Sequence, residues 1–488
     1  MIIVGAGYSG LGMAIKLKAA GVPYVILEKS SGLGGTWYDN TYPGCACDIM
    51  SHLYSFSFFP NPFWSKSFPS QPEILAYLKK VADHYDLLPC IRFGVRVDEC
   101  RWDENRSQWT VTSTSGESFV GQFLISGIGA LHVPKTPDFK GKEDFQGVSF
   151  HTAQWDHSFD YRGKDVALIG TGASAVQAVP AIVKDVKSVT VFQRTAVWTS
   201  PRLDFTYPSF VQALFNAFPL LMKLHRWYIF IRQEIGFFAI FGKGSRMSER
   251  VRGQVTHYMK SMIEKPELKK KLIPNFDMGC KRITVSNDYV KSFNSPNARL
   301  VTEKIDRIVA DGVVVKKADE KGDEVEELIK CDAIVYATGF DLMASCKNMT
   351  VRGKDGRDLA NVWGSVPNAY LGIACPSFPN LFYLLGPNVG LGHNSVVWMI
   401  ECQVTYCMDA VLTCIRDGVK SVDVKESKNR EFQNFIQELM KFRVFHSGCK
   451  SWYQNAEGIV YTLWPSHLPH YWWLTRKFDM DAYNVERA

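Results

Sequence analysis

Two glycine-rich turns, each between a strand pattern and a helix pattern, constrain this 488-residue chain more than any other feature. The first opens it. IIVGAGYSGLG runs a short apolar stretch into Gly5-x-Gly7-x-x-Gly10; Leu11, Ala14 and Ile15 continue as a helix face, and Gly21 closes the helix. YVILE then reads as a strand ending in Glu28. Glycines at this spacing let backbone turn tightly and approach a pyrophosphate held at a helix N-terminus. Glu28 is placed to accept from ribose hydroxyls. The second turn, in KDVALIGTGASAVQAVPAIV, is Gly170-x-Gly172-x-x-Ala175, and SVTVFQR supplies its following strand. Here Gln193 stands where Glu28 stood, and Arg194 and Thr195 follow. A carboxylate would repel a 2′-phosphate, whereas a guanidinium pairs with one bidentately. The second nucleotide is therefore expected to be NADPH rather than NADH.

The halves match further on. GQFLISGIGALHVPKTP (121–137) and CDAIVYATGFD (331–341) each read as a buried strand ending in a glycine turn, after a polar hairpin-like segment. This is an internal duplication at domain scale. Hydride needs an acceptor, so FAD is inferred in one half. The predicted class is α/β, with two Rossmann-like dinucleotide-binding domains, for FAD and NADPH, and a helical insertion in the NADPH domain. The predicted bounds are 1–140 and 376–488 for FAD, 141–202 and 281–375 for NADPH with a linker at 141–157, and 203–280 for the insert. A chain of this length is expected to divide into two or three domains.

Net charge is +7 without a dense Lys/Arg cluster, which argues against a nucleic-acid partner. The 12 cysteines are scattered, no CxxC or paired histidines point to a metal, and reduced thiols in a cytoplasmic setting are expected. MIIVGAG reads as a strand rather than a leader. Met1 is almost flush with that strand, and strands of about five or six residues are typical, so either the start is internal to a longer product or the strand is clipped, and a clipped strand would weaken FAD binding. Residues 207–241 are rich in aromatic and aliphatic side chains but broken by Pro208, Pro219, Lys223, Arg226, Arg232 and Glu234. A spanning helix is not expected. The favoured reading is a buried helical insert; the other is a helix pair in peripheral contact with a membrane or lining a substrate route.

Flavoproteins with two such domains include disulfide reductases, but Cys45 and Cys47 are separated by one residue, poor geometry for a disulfide. The same segment carries Gly34-Gly35-x-Trp37, then Tyr42-Pro43-Gly44 and Asp48. With FQGVSFHTAQWD, Phe145 to Asp156, it resembles the two signatures of the type I Baeyer–Villiger monooxygenases, GGxWxxxxYPGxxxD and FxGxxxHxxxWD. The resemblance continues through ATGFD (337–341) and LGPNVGLGHNS (385–395). Related nitrogen- and sulfur-oxygenating flavin monooxygenases usually carry Tyr or Phe where Trp155 stands, so they are the alternative reading; a redox protein without oxygenase activity is the alternative from another class.

The resemblance implies FAD, NADPH, O2 and a small apolar ketone converted to an ester or lactone. Negative charge develops beside the flavin, and a fixed guanidinium holds it. Arg282 takes that role and contacts the nicotinamide, Lys281 takes the NADPH phosphate, and Asp48 pairs with Arg282. The FAD contacts implied are Gly5, Gly7, Ser9, Gly10, Glu28, Gly35, Thr36, Trp37, Asp48, Tyr54, Val97 and Asn388. Those for NADP are Gly170, Thr171, Gly172, Ser174, Ala175, Arg194 and Thr195. Gly147, His151 and Trp155 couple the domains through the linker, with His151 and Trp155 brought to one side by a helical turn.

Overall fold

Each glycine turn lies at the centre of a five-stranded, wholly parallel sheet. The computed structural model describes residues 1–319, 322–342, 344 and 348–487. In the first sheet the order is Leu381–Tyr383, Leu124–Ser126, Ile2–Val4, Val25–Glu28, Ile91–Phe93. In the second it is Val148–His151, Ala333–Tyr336, Asp165–Ile169, Ser188–Phe192, Ala298–Val301. The two orders correspond strand for strand, except that the outermost strand beside the 124–126 and 333–336 positions comes from late in the chain in one sheet and from the linker in the other.

The duplication extends to single hydrogen bonds. Gly5 N–H donates to Leu27 and Gly170 N–H to Phe192, while Gly127 N–H donates to Val4 and Ala337 N–H to Ile169. Gly5 and Gly170 both have positive φ, +101° and +117°, and a Cβ on either would lie 2.7 or 2.3 Å from the carbonyl oxygen of Gly127 or Ala337. Only glycine fits where the turn crosses the end of the neighbouring strand. The sheet cores are continuous apolar runs, as strands covered on both faces require. Ile3, Ile26 and Ile125 are fully buried, each contributing about 1.5–3 kcal/mol. Met1, short as its strand is, has its amine on the Pro23 carbonyl at 2.8 Å, and Ile2–Val4 pairs on both sides.

Each central sheet is followed by an antiparallel meander, Val97–Gly121 and Lys304–Lys330. The insert leaves the second sheet after Ser188–Phe192 and returns before Ala298–Val301. Its neck is a two-stranded parallel ribbon, Thr199–Ser200 against Thr284–Val285, and its helices are Ser209–Ala217, Pro219–Phe241, Arg246–Ser261 and Pro266–Leu272. Arg226 pins the long helix to the first half: Nη1 donates to the carbonyls of His52 and Ser55 at 2.6 and 3.0 Å. Three expectations need correction. The insert is not buried, because one face of its long helix is apolar and open. The linker makes no helical turn from His151 to Trp155; it is a sheet strand, Val148–His151, then a 3-10 turn, Thr152–Gln154, because pairing with Ala333–Tyr336 captures it. Nor are all thiols free: Cys280 and Cys449 are joined, 169 residues apart in sequence, a proximity only the fold creates.

His52 shows what the insert contact costs. Its ring sits edge-on to Tyr207, Phe215 and His225 at 5.0–5.2 Å. Burial first, then His225 and Arg226, pushes its pKa down to about 3. The unfolded imidazole takes a proton near 6.5 and the folded one near 3, so stability present above pH 6.5 is lost as pH falls toward 3, by at most about 1.4 kcal/mol per pH unit. His52→Phe should flatten the fall of the unfolding midpoint between pH 7 and 4.5; an unchanged slope would assign it to other groups.

Candidate active site between the two sheets

Four separate parts of the chain meet around Arg282, which lies two residues before the returning neck strand. Arg282 Nη2 donates to Asp48 Oδ2 at 3.3 Å. The guanidinium side chain is 38% exposed and the carboxylate 12%, so the cation keeps an open face while its partner is largely enclosed. Burial works against the charge of Arg282, Asp48 works for it, and the balance raises its pKa. It stays a cation at any working pH.

Asp48 is itself held. Gln177 Nε2 donates to Asp48 Oδ1 at 3.3 Å and to the Ala46 carbonyl at 2.9 Å; Gln177 Oε1 accepts from Tyr42 Oη at 2.8 Å. Gln177 lies on the helix Ala173–Ile182 that starts at the second glycine turn. One amide therefore ties the second nucleotide helix to the Tyr42–Asp48 segment of the first half. Buried Tyr453 lies close enough to feel the guanidinium's charge: burial pushes its phenol up to about 12, and Arg282 opposes the rise. The Cys280–Cys449 bond brings that C-terminal segment to the base of the Arg282 strand. Sequence reading missed Gln177, Tyr453 and the disulfide; a glutamine in an apolar helix was the one signal available.

Around the first turn, Glu28 is buried, and its carboxylate accepts from the Ala6 and Ser30 amides at 2.7 and 2.8 Å. This fixes it at the start of Tyr8–Ala19 with lone pairs remaining for a ribose. Ser9 and Gly10 are buried in that helix's first turn, and Gly7 lies against Gly35. Thr36 is exposed and Trp37 buried in the short helix Thr36–Asp39; Trp37 Nε1 donates to Tyr54 Oη at 3.2 Å. Val97 is buried at the start of its meander strand. Asn388 has φ +59°, and its amide donates to the carbonyls of Val460 and Leu463 at 3.1 and 3.4 Å. It thus straps the C-terminal segment, with its buried Oδ1 left without a protein partner.

Around the second turn, Thr171 Oγ1 donates to the Thr195 carbonyl at 2.8 Å, closing the loop onto the strand end where Arg194 stands. Ser174 is half-buried and Ala175 fully buried in the first turn of Ala173–Ile182. Burial and the nearby Arg194 charge lower the pKa of Lys281, which lies over the Phe276 ring at 4.9 Å. Among the described residues neither Arg194 nor Lys281 makes an ion pair, so two cations face each other without an anion, an arrangement that suits a phosphate.

The linker joins the halves. His151, buried, accepts from the Ala153 amide at Nδ1, and its Nε2 has no hydrogen-bond partner of good geometry near the 337–341 turn; its ring meets Phe340 at 5.9 Å. Trp155 packs on Phe150 at 5.0 Å, and His157 Nε2 meets Thr41 Oγ1 at 2.7 Å. A Cβ on Gly147 would lie 2.4 Å from the Asp332 carbonyl oxygen, which explains the glycine in the signature.

A family model for pyridine nucleotide-disulphide oxidoreductases matches residues 2–217, spanning both turns; Cys45 and Cys47 are nevertheless free and buried. The chain is 40% identical over 486 residues to a Baeyer-Villiger monooxygenase of Pseudomonas aeruginosa, covering 99% of this chain and 90% of that protein. It is 36% identical over 490 residues to an FAD-binding monooxygenase of Aspergillus niger, covering 96% and 79%. A solved structure of a steroid monooxygenase bound to NADP matches with a TM-score of 0.87 at 27% identity, over 100% of this chain and 99% of that one.

Proposed function

Because the chain belongs to the Baeyer–Villiger monooxygenase family, we propose that the Arg282–Asp48 pair is its charge-holding centre. The enzyme is an NADPH-dependent FAD monooxygenase that inserts one atom of O2 beside a ketone carbonyl, giving an ester or lactone. The observation that carries the site assignment is the 3.3 Å ion pair between a residue of the first half and a residue at the neck of the insert.

The residues fit both dinucleotides. The first turn is too tight for any side chain at Gly10, as a backbone cradle for a pyrophosphate requires. Among the described residues the cations Arg194 and Lys281 have no ion-pair partner, and Asn388 Oδ1 lacks a donor. In our reading Gly5, Gly7, Ser9, Gly10, Glu28, Gly35, Thr36, Trp37, Tyr54, Val97 and Asn388 hold FAD. Gly170, Thr171, Gly172, Ser174, Ala175, Arg194, Thr195 and Lys281 hold NADP. The FAD half comprises 1–140 and 376–488 and the NADPH half 141–202 and 281–375, with 203–280 inserted; the two matching parallel sheets support this division. FAD, when bound, accepts hydride from NADPH and activates oxygen.

The chain's own residues do the rest. Asp48, oriented by Gln177, holds Arg282 so that one face of the guanidinium stays free. That face stabilises the negative charge that develops on oxygen as it adds to the carbonyl carbon. Tyr453 and the strapped C-terminal segment keep water from the guanidinium's other side. Lys281 and Arg194 grip the 2′-phosphate and keep the nucleotide in place. Gly147, His151 and Trp155 set the angle between the halves.

NADPH with labelled oxygen and a panel of one ketone, one amine and one thioether tests the reaction; a single labelled oxygen in an ester is expected, and labelled N-oxide or sulfoxide alone would refute ketone oxygenation. Arg194→Ala should raise the KM for NADPH about tenfold to a hundredfold, the value of a charge-assisted contact, and leave that for NADH almost unchanged. Equal damage to both would remove Arg194 from the phosphate site.

A further inference from the structure

The insert's long helix, Pro219–Phe241, has two apolar faces. Met222, Ile229, Phe230, Phe237 and Phe241 are buried against the protein. On the other side Leu220, Leu224, Trp227, Ile231, Ile235 and Phe238 recur at steps of four, three, four, four and three, and each is more than half exposed. That stripe runs about 27 Å along the helix axis. Phe210, Leu214 and Phe218 on and after the preceding helix are exposed as well. Phe238 meets His467 at 6.1 Å, the residue capping Leu468–Thr475, which exposes Trp472 and Trp473. A continuous patch of this size on one protein marks an interaction surface.

Charge identifies the occupant. Between Phe205 and Met247 the charged residues are Lys223, Arg226, Arg232, Glu234, Lys243 and Arg246. Arg226 is buried on carbonyl oxygens. Glu234, the single acid, is turned inward, accepting from Asn394 Nδ2 at 2.6 Å and Leu468 N at 2.9 Å and meeting His393 Nε2 at 3.1 Å. Lys223, Lys243 and Arg246 are exposed and Arg232 half-exposed, none with an ion-pair partner among the described residues. The open face is thus apolar, bears Trp227 and Tyr228, and is flanked by an excess of cations, with the exposed Glu249 one turn beyond Arg246 as the nearest outward-facing acid in sequence. A second copy docking through the same face would set these cations against one another. A helix with an apolar face and basic flanks is what lies in the headgroup region of an anionic bilayer.

We propose that this face docks the enzyme peripherally on anionic membranes, with the Pro219–Phe241 helix lying in the surface plane. The test is flotation of the FAD-loaded full chain with vesicles of phosphatidylcholine mixed with phosphatidylglycerol, beside vesicles of phosphatidylcholine alone. Binding to the mixed vesicles, weakened by salt and weaker on the neutral ones, is expected. The double variant Leu224→Gln, Ile231→Gln should lose at least about tenfold in vesicle affinity while keeping bound flavin and vesicle-free NADPH oxidation. Failure to float with anionic vesicles, equal flotation of the double variant, or a concentration-dependent dimer that the double variant abolishes would each overturn the proposal, the last in favour of self-association.

Discussion

Arg282→Ala should retain bound flavin and still consume NADPH, yet form ester about a hundredfold to a thousandfold more slowly, the scale of losing one fixed charge-stabilising group in an enclosed site. Oxygen would then be reduced without insertion. Among the described residues the guanidinium has one ion-pair partner, Asp48 at 3.3 Å, and it keeps an open face. The variant leaves a largely enclosed carboxylate with Gln177 as its one donor among the described residues, which costs about 1–3 kcal/mol of stability, so its unfolding midpoint must be measured alongside. Arg282→Lys keeps the charge but loses the planar fork that meets Asp48 and the reacting oxygen together, and should recover only part of the ester yield. Gln177→Leu should leave flavin reduction intact and lower ester yield less than Arg282→Ala, because Asp48 loses its brace rather than Arg282 its charge. Ester formation at the normal rate in Arg282→Ala would remove Arg282 from the chemistry, whatever its effect on stability.

How far the sequence could carry these assignments depended on range. The glycine turns were legible because their constraint is local: Gly5, Gly10 and Gly170 are dictated by neighbours a few residues away or by the next strand's end. Their recurrence announced the two matching sheets. The Arg282–Asp48 pair joins residues 234 apart, and no periodicity links them; only the resemblance to a known family suggested it. Gln177 was invisible for a related reason. On its helix it is one polar residue among alanines and valines, and its importance comes from Tyr42, Ala46 and Asp48, which approach from the other half. Cys280 and Cys449 read as unrelated thiols until the insert's neck and the C-terminal segment were brought together. The linker was misjudged because strand pairing with Ala333–Tyr336 outweighed the local spacing of His151 and Trp155. The long insert helix fails for the opposite reason: its aromatic and aliphatic residues lie on more than one face between its few charges, a pattern that favours burial, and only the structure separates a face that packs from a face that does not.

Glycine-to-alanine changes at two different positions of these turns, Gly10 in the first and Gly172 in the second, should have opposite effects on stability. In the first, a Cβ on Gly10 would lie 1.9 Å from the Gly5 carbonyl oxygen and 3.3 Å from Ile3. Backbone oxygen cannot move aside there without opening the central strand, so Gly10→Ala should cost more than about 4 kcal/mol and yield protein that is insoluble or free of flavin. In the second, Ala175 already occupies the matching position, and Gly172 has φ −73° with nothing within 4 Å of a Cβ. An alanine at 172 meets no strain, and by restricting the unfolded chain it should leave stability unchanged or raise it by about 0.4–1 kcal/mol. The open space beside Gly172 is where a nucleotide pyrophosphate would approach the helix N-terminus. Gly172→Ala should therefore raise the KM for NADPH about tenfold while the flavin stays bound. Thermal unfolding without nucleotide, flavin content and the NADPH KM separate the cases. Instability in Gly172→Ala would mean that the second turn is packed like the first, and an unchanged KM would mean that the pyrophosphate lies elsewhere.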